Sequence, residues 1–485
     1  MKVLWLCNIM LPAYAKAKGL SFSAREGWLS GSFDRISKEL VKDENCIENN
    51  GEHTQDSSRK ADGSWDSVTG AVEDGSITLA VAFPGAGASE DASSSGNRSL
   101  GEVIEGVTFY TFAENLDTPE IYDESLEPQI DAILKDFQPD IVHIFGTEFP
   151  HSLAMVRTFN RPERTLVGIQ GLCGVIADKY MADLPESVQN DLTFRDKLKH
   201  DSIRQQQEKY YLRAANEKKI IEGAGHITGR TAFDKRETAR INPGAVYHHM
   251  NETMRSNFYE GRWSEKDRVI HSIFLSQGDY PLKGLHYVLQ AMPEILEKYP
   301  DAHVYVAGNS IFGKIDRRTV TAADDEGTVI TGSKYPLFMR ISAYGKYLKK
   351  LISQNHLKKH VTILGKLNAE QMKEQYLKCN VFICPSAVEN SPNSLAEAML
   401  LGVPVIAADV GGIPSMLDNN REGIIYKGGD VHQLAKAVID MWDEPVISGV
   451  YGDNGYKRAH IDHDPDRNFE RLKEIYREIA TGARS

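Results

Sequence analysis

At 485 residues the chain is longer than one ordinary hydrophobic core, so two or three domains are expected, most simply two large ones. Its 41% hydrophobic and 26% charged residues describe a globular chain and exclude both a disordered and a membrane-embedded one. A formal charge of -12 argues against a nucleic-acid partner, which requires a basic face to displace counterions.

The first residues, MKVLWLCNIMLPAYAK, hold a short apolar run broken by Asn8 and Pro12. They read as a strand rather than a leader, because no long apolar stretch or small-residue cleavage site follows. No segment offers the ~20 apolar residues of a membrane span. Further strands are expected at ITLAVAF, VTFYTF, DIVHIF, TLVGIQ and HITGRT. Polar, Gly/Ser-rich stretches at 43–75 and 85–103 interrupt this rhythm and read as surface excursions. AFPGAGASED has the glycines of a dinucleotide turn, but no helix follows to present its N-terminus to a phosphate.

Residues 195–219 carry Arg195, Lys197, Lys199, Arg204, Lys209, Arg213, Lys218 and Lys219 against Asp196, Asp201, Glu208 and Glu217. This run is a solvated helix face or a contact for an anionic membrane surface or acceptor. After 250–265 a second set of apolar runs begins: SIFLSQ, HVYVAG, VTILGK, NVFICPS, PVIAAD and GIIYK. Strands alternating with helical patterns in two sets predict two doubly wound α/β domains, with a ligand cleft at the carboxyl ends of their strands. The five cysteines, Cys7, Cys46, Cys173, Cys379 and Cys384, are scattered and mostly set in apolar runs, as expected for reduced thiols in a cytoplasm.

AVENSPNSLAEAMLLGVPVIAADVGG, residues 387–412, joins a buried strand to a helix through a turn rich in Ser, Pro and Asn. With Pro392 in the first helical turn, the amides of Asn393, Ser394 and Leu395 lack intrahelical partners and form a phosphate cradle at the positive end of the helix dipole. Glu389 precedes that cradle, and Glu397 lies about 8 Å along the helix at ~1.5 Å per residue. A diphosphate on the helix start could thus have a transferred sugar beside Glu389 and ribose hydroxyls beside Glu397, the latter a carboxylate–diol contact also made in dinucleotide sites.

Glu389-x7-Glu397, followed by AMLLGVPVIAADVGGIPSML and EGIIYKGGDVHQLAKAV, resembles the retaining glycosyltransferase family 4, of the GT-B fold and glycosyl transferases group 1. The likeness is strong over 265–445 and weaker in the first domain. It implies two Rossmann-like domains facing across a cleft: 1–255 for the acceptor, 256–455 for the nucleotide-sugar, and a 456–485 helix packing back on the first domain. It also implies that Lys283, of the Lys283-Gly284 element, neutralises the leaving diphosphate and that Glu389 positions the sugar. Gln277 stands where an arginine is common, and Arg230 is a substitute cation. Gly27, before Trp28 and Gly31, would let backbone approach the donor phosphates and the acceptor. The loops AGNSIFGK and LGKLNAE would meet the nucleotide base.

The implied reaction is a metal-independent transfer from a nucleoside-diphosphate-sugar, a substrate rather than a resident cofactor, to a saccharide or lipid-linked acceptor, in polysaccharide or glycoconjugate synthesis. Glu148, His151 and Gln170 stand at strand ends where such enzymes contact the transferred sugar or the acceptor, while His143 lies inside an apolar strand as a core residue. The AHIDHDPD segment imitates a metal-binding Asp-x-Asp at Asp462 and Asp464, but Asp464-Pro465 is also a helix start. No metal ligand is therefore assigned. A glycoside hydrolase, with its two carboxylates across a scissile bond, and a nucleotide-sugar epimerase on a similar fold are the alternatives, with a noncatalytic binding module behind them.

Overall fold

The computed structural model describes residues 1–20, 29–37, 77–85, 100–308 and 339–482. Gly27, Trp28, Cys46, the 43–75 excursion, most of 85–103 and the loop beyond Gly308 lie outside these residues.

Among them, the first sheet holds β1 (Lys2–Leu6), β2 (Thr78–Pro84), β3 (Glu102–Ile104), β4 (Val107–Phe112), β5 (Ile141–Phe145), β6 (Thr165–Gly168), β7 (His226–Gly229) and β8 (Val246–His249). Their order across the sheet is β3-β4-β2-β1-β5-β6-β7-β8. The second sheet holds β9 (Ser272–Leu275), β10 (His303–Ala307), β11 (Val361–Gly365), β12 (Val381–Cys384), β13 (Val405–Ala408) and β14 (Ile424–Tyr426), ordered β11-β10-β9-β12-β13-β14. Every neighbouring pair is parallel except β3 with β4. Helices cover both faces of each sheet, which is why central strands such as β5 and β12 are buried along their whole length and read as unbroken apolar runs. Two doubly wound α/β domains result, as the alternation of runs implied.

The apolar runs named from the sequence all become strands, and two further strands appear. β3 emerges from the end of the polar 85–103 stretch and turns into β4 through Glu105 and Gly106, whose φ values of 49° and 76° make the two-residue hairpin turn that matches strand twist. β8, four residues at the edge of the sheet, carries Tyr247, His248 and His249, too polar to stand out as a buried run.

The last helix, Pro465–Thr481, lies on the first sheet although the preceding domain is the second. Tyr476 anchors it: its hydroxyl accepts from Trp5 Nε1 at 2.8 Å and meets His143 Nδ1 at 2.8 Å. Arg164 donates to the carbonyls of Ile479 and Ala480 at 3.1 and 2.9 Å. In the other direction, Tyr180, Leu184 and Ile203 of the first half pack into the second domain's core. Ala182 and Asp183 both take left-handed φ there, so that the Ala182 carbonyl accepts from His286 Nε2 at 2.8 Å and Asp183 accepts from the Tyr287 hydroxyl at 2.7 Å. The two sheets consequently face one another with the loops at their strand ends in contact.

Candidate active site

β9 and β12 are neighbours, so the loops leaving their carboxyl ends run side by side. The β9 loop ends in a short 3-10 turn, Pro281–Lys283, and the left-handed Gly284. Any Cβ at Gly284 would collide with the carbonyl oxygen of Pro385 in the β12 loop. The glycine therefore sets the approach of the two loops, which the Ala387 amide locks by donating to the Leu282 carbonyl at 2.8 Å. As a result Lys283 Nζ meets Glu389 Oε1 at 2.5 Å, and Ser386 Oγ donates to the same oxygen at 2.7 Å.

Burial of Lys283 disfavours its charge, but Glu389 and the nearby Tyr280 outweigh that effect and its pKa is raised, so the ammonium is retained at all working pH. The Glu389 turn is held from beneath by Gly411 and Gly412, whose added Cβ atoms would overlap the carbonyl oxygens of Glu389 and Asn390. The Gly412 amide donates to Glu389 O at 3.0 Å. The Val410-Gly411-Gly412 that closes the 387–412 segment is thus the seat of Glu389.

The helix Asn393–Leu400 starts one residue later than expected. Pro392 is its N-cap, and the Pro392 carbonyl accepts from Leu395 N at 3.0 Å as well as from Ala396 N at 3.3 Å. Leu395 is accordingly not a free donor: the first turn tightens and consumes its N–H. Among the described residues the amides of Asn393 and Ser394 remain open. Glu397 sits one turn on, buried, where Arg255 of the interdomain segment grips its Oε1 from Nη2 at 2.5 Å and Nε at 3.2 Å. Burial raises the Glu397 pKa and Arg255 opposes that rise.

Across the cleft, Arg230 at the end of β7 bridges the domains. Its Nη1 donates to Glu252 Oε2 at 2.6 Å and to Asn393 Oδ1 at 2.9 Å, which places a guanidinium at the open helix start. Gln170 Nε2 completes the set on Glu252 Oε1 at 2.9 Å, and Asn390 Nδ2 donates to the Gln170 carbonyl at 3.3 Å. Between the walls lies a cavity of about 230 Å³ bordered by Lys283, Glu389 and Tyr280 on one side and by Glu148, Gln170 and Tyr210 on the other. Burial pushes the Tyr280 hydroxyl up to about 12, so it stays a neutral donor.

Sequence reasoning missed the deeper layer of the first-domain wall. Glu217, counted there among the acids of a basic run, turns inward: it accepts from Thr147 Oγ1 at 2.9 Å, Cys173 N at 2.8 Å and Gly174 N at 3.1 Å. Burial raises its pKa to about 7. Its spacing to Ile220 and Ile221, three and four positions on, was the available sign of an inward face. Several basic residues of that run are occupied: Arg195 pairs with Asp201, Lys209 with Glu120, and Arg213 Nε donates to the Glu148 carbonyl at 2.9 Å.

Other named residues lie apart. Gln277 follows β9, beside Gly308 at the end of β10. His151 is buried between Glu114, 2.6 Å from Nδ1, and Asn8, 2.9 Å from Nε2. His143 is the core residue expected, its pKa lowered to about 3 by burial. Asp464 caps the last helix, accepting from Arg467 N at 2.8 Å, and Asp462 pairs with Arg458. No cluster of metal-ligating side chains occurs among the described residues.

A model of the glycosyl transferases group 1 family matches residues 262–458, which contain Lys283, Glu389 and Glu397. The second domain belongs to this family. Among relatives of this glycosyltransferase domain, the GDP-mannose-dependent monoacylated alpha-(1-6)-phosphatidylinositol monomannoside mannosyltransferase of Corynebacterium glutamicum is 26% identical over 189 residues, 38% of this chain and 40% of that protein. The Bacillus subtilis spore coat protein SA is 25% identical over 40% of this chain and 45% of its own length, so the chain matches less than half of either relative. Among solved structures, the sucrose-phosphate synthase of Thermosynechococcus elongatus superposes with a TM-score of 0.62 at 14% identity, covering 100% of both chains. HepE of Anabaena, solved with UDP-glucose, gives 0.56 at 13% identity over 99% of this chain and 100% of its own. Both likenesses concern the fold, which is the two-domain GT-B arrangement.

Proposed function

We propose that this protein is a retaining, metal-independent glycosyltransferase of family 4, moving a hexosyl group from a nucleoside-diphosphate-sugar to a saccharide or lipid-linked acceptor during polysaccharide or glycoconjugate synthesis in the cytoplasm. The observation that carries this reading is the Lys283–Glu389 pair, 2.5 Å apart, at the mouth of a cleft that also contains an open helix start. A diphosphate there would take the amides of Asn393 and Ser394, with Lys283 and Arg230 supplying positive charge. Glu397 would take the ribose hydroxyls, sharing its carboxylate with Arg255. The described relatives and neighbours support this donor class: the mannosyltransferase is named for GDP-mannose and HepE was solved with UDP-glucose.

In the transfer, the acceptor oxygen bonds to the anomeric carbon on the face from which the diphosphate departs. The anomeric C–O bond to the phosphate breaks with its electron pair passing to the phosphate oxygen, and a donor phosphate oxygen takes the acceptor's proton. Glu389 holds the sugar and supports the positive charge that develops on it, while Lys283 meets the growing negative charge on the diphosphate.

Contact with the inner face of a membrane belongs to the same proposal. Leu192, Phe194 and Leu198 are exposed beside Lys197 and Lys199, a combination suited to anionic lipid. In chelator, with a panel of sugar nucleotides and acceptors, the product should keep the donor's anomeric configuration by NMR, and the protein should sediment with anionic vesicles. An inverted product, or turnover only after a divalent ion is restored, would refute the mechanism; failure to bind vesicles would remove the membrane from it.

A further inference from the structure

Glu148 presents a carboxyl group that the cleft leaves half used. Its Oε1 accepts from the Gly171 amide at 2.9 Å, whereas its Oε2 is buried without a hydrogen-bond partner among the described residues. The chain makes room for this arrangement: Gly146, with a φ of +99°, has no side chain where a Cβ would overlap Glu148 Oε2, and Gly171 lies against Oε1. Glycine at both positions lets the carboxyl group lie directly on backbone. An unsatisfied carboxyl oxygen in a protein interior costs on the order of 1–3 kcal/mol or more, and one that borders a cavity is available for a bound group to complete.

The surroundings define what that ligand can be. Glu148 borders the same cavity as Lys283 and Glu389, on the opposite wall. Leu172, Val175, Ile176 and Phe233 contribute apolar surface beside it. Among the described residues, the cation bordering the cavity is Lys283, which is engaged by Glu389. Arg213 stands behind Glu148, donating to its main-chain carbonyl and stacking over Tyr210 with its guanidinium carbon 4.7 Å from the ring centre. A phosphate or carboxylate next to the attacking hydroxyl would thus face two carboxyl groups, with Lys283 held by Glu389 and Arg213 drawn to Glu148, whereas the C–H face of a neutral sugar fits the apolar strip.

Resting on the glycosyltransferase reading above, we infer that Glu148 is the acceptor-binding carboxyl of this enzyme, accepting a hydrogen bond from the attacking hydroxyl at Oε2, and that the attacked residue of the acceptor is an uncharged saccharide. Glu148 orients the oxygen toward the sugar held by Glu389; the acceptor's proton still leaves to the donor phosphate.

The test uses the full chain and follows nucleoside diphosphate release from the donor sugar nucleotide with methyl hexosides, methyl N-acetylhexosaminides or the corresponding 6-phosphates as acceptors. Wild type should release diphosphate faster with a neutral glycoside than with water alone, and no faster with the phosphates. Glu148→Gln should hold the donor with a Kd within about twofold and lose about 10- to 150-fold in kcat/KM for the neutral acceptor, the range of one charged hydrogen bond. Glu148→Asp, which keeps the charge on a shorter arm, should recover part of that loss, as a mere folding defect would not. Wild-type transfer by Glu148→Gln, no acceleration by any neutral glycoside, or preference for the phosphates would overturn the inference while leaving donor binding intact. Absence of donor binding in wild type would instead overturn the glycosyltransferase reading on which it rests.

Discussion

Glu389 and Glu217 stand on opposite sides of one cleft, the first with its side chain 12% exposed and the second buried, and they are stabilised by different means. Glu389 has an ammonium and a hydroxyl on one oxygen, both delivered by loops from adjacent strands. Among the described residues Glu217 has no cation at hydrogen-bond distance and is held by a threonine hydroxyl and two backbone amides at the start of the helix Cys173–Lys179. Around Glu389 the second-domain wall is a set of paired charges, while around Glu148 and Glu217 the first-domain wall relies on backbone amides and on carboxyl groups whose pKa burial raises; the first domain's buried Arg230–Glu252 pair lies instead at the open helix start. A diphosphate needs cations and open amides, and a neutral sugar needs hydrogen-bond acceptors without competing charge. The difference between the walls matches the two substrates proposed for them.

The sharpest way to break the comparison is at Gly411. Alanine there must adopt a left-handed φ, worth about 1–3 kcal/mol by itself, and its Cβ would overlap the Glu389 carbonyl. Gly411→Ala should lower the thermal midpoint strongly and displace Glu389, whereas Gly19→Ala, also left-handed but in open space, should show only the conformational cost. Equal midpoints for the two variants would show that the glycine pair does not seat Glu389.

A smaller effect separates the walls by pH. The folded-state pKa of Glu217, about 7, lies above the ordinary glutamate value of 4.5, so the folded protein holds this proton more tightly than the unfolded chain. Its contribution to stability is full below pH 4.5 and is lost as pH rises through 7, on the order of 3 kcal/mol in all. His143 and His248, lowered to about 3 and about 4 by burial, act oppositely: the stability they support is lost as pH falls below 6.5. Because these slopes oppose one another, the measurement is the difference between wild type and Glu217→Gln. Urea unfolding should show the wild type losing more stability than the variant between pH 5 and 8; parallel profiles would show that Glu217 is ionised throughout.

How much of this was legible in the sequence follows the same division. The second-domain wall is local: Ser386, Glu389, Asn393 and Gly411 lie within 26 residues, so spacing and turn chemistry already imply a strand, a turn and a helix start. Even so, the Leu395 N–H, expected to be open, bonds to the Pro392 carbonyl, because tightening of a first helical turn is not visible in residue types. The partners of Glu389 and Glu397, Lys283 and Arg255, lie 106 and 142 positions away; the Lys283-Gly284 element was recognisable as a motif, and Arg255 had no motif to mark it. On the first-domain wall, Glu148 meets Gly171 across 23 positions and Thr147 meets Glu217 across 70, through ordinary residue types in unrelated elements. Such contacts follow from strand order, which the pattern of apolar runs does not determine. The buried strands were readable because parallel strands covered on both faces are apolar throughout, and the edge strand β8 was not because its polar residues hide the pattern.

The central claim is that the second-domain wall binds the diphosphate of a sugar nucleotide, and isothermal titration calorimetry tests it most directly. Uridine, guanosine and adenosine diphosphates would be titrated in chelator into wild type and Lys283→Ala. The account predicts binding of one of the three, weakened at least about tenfold by the substitution, the lower end for a charged hydrogen bond. No binding by any of them, or an unchanged Kd in Lys283→Ala, would contradict it.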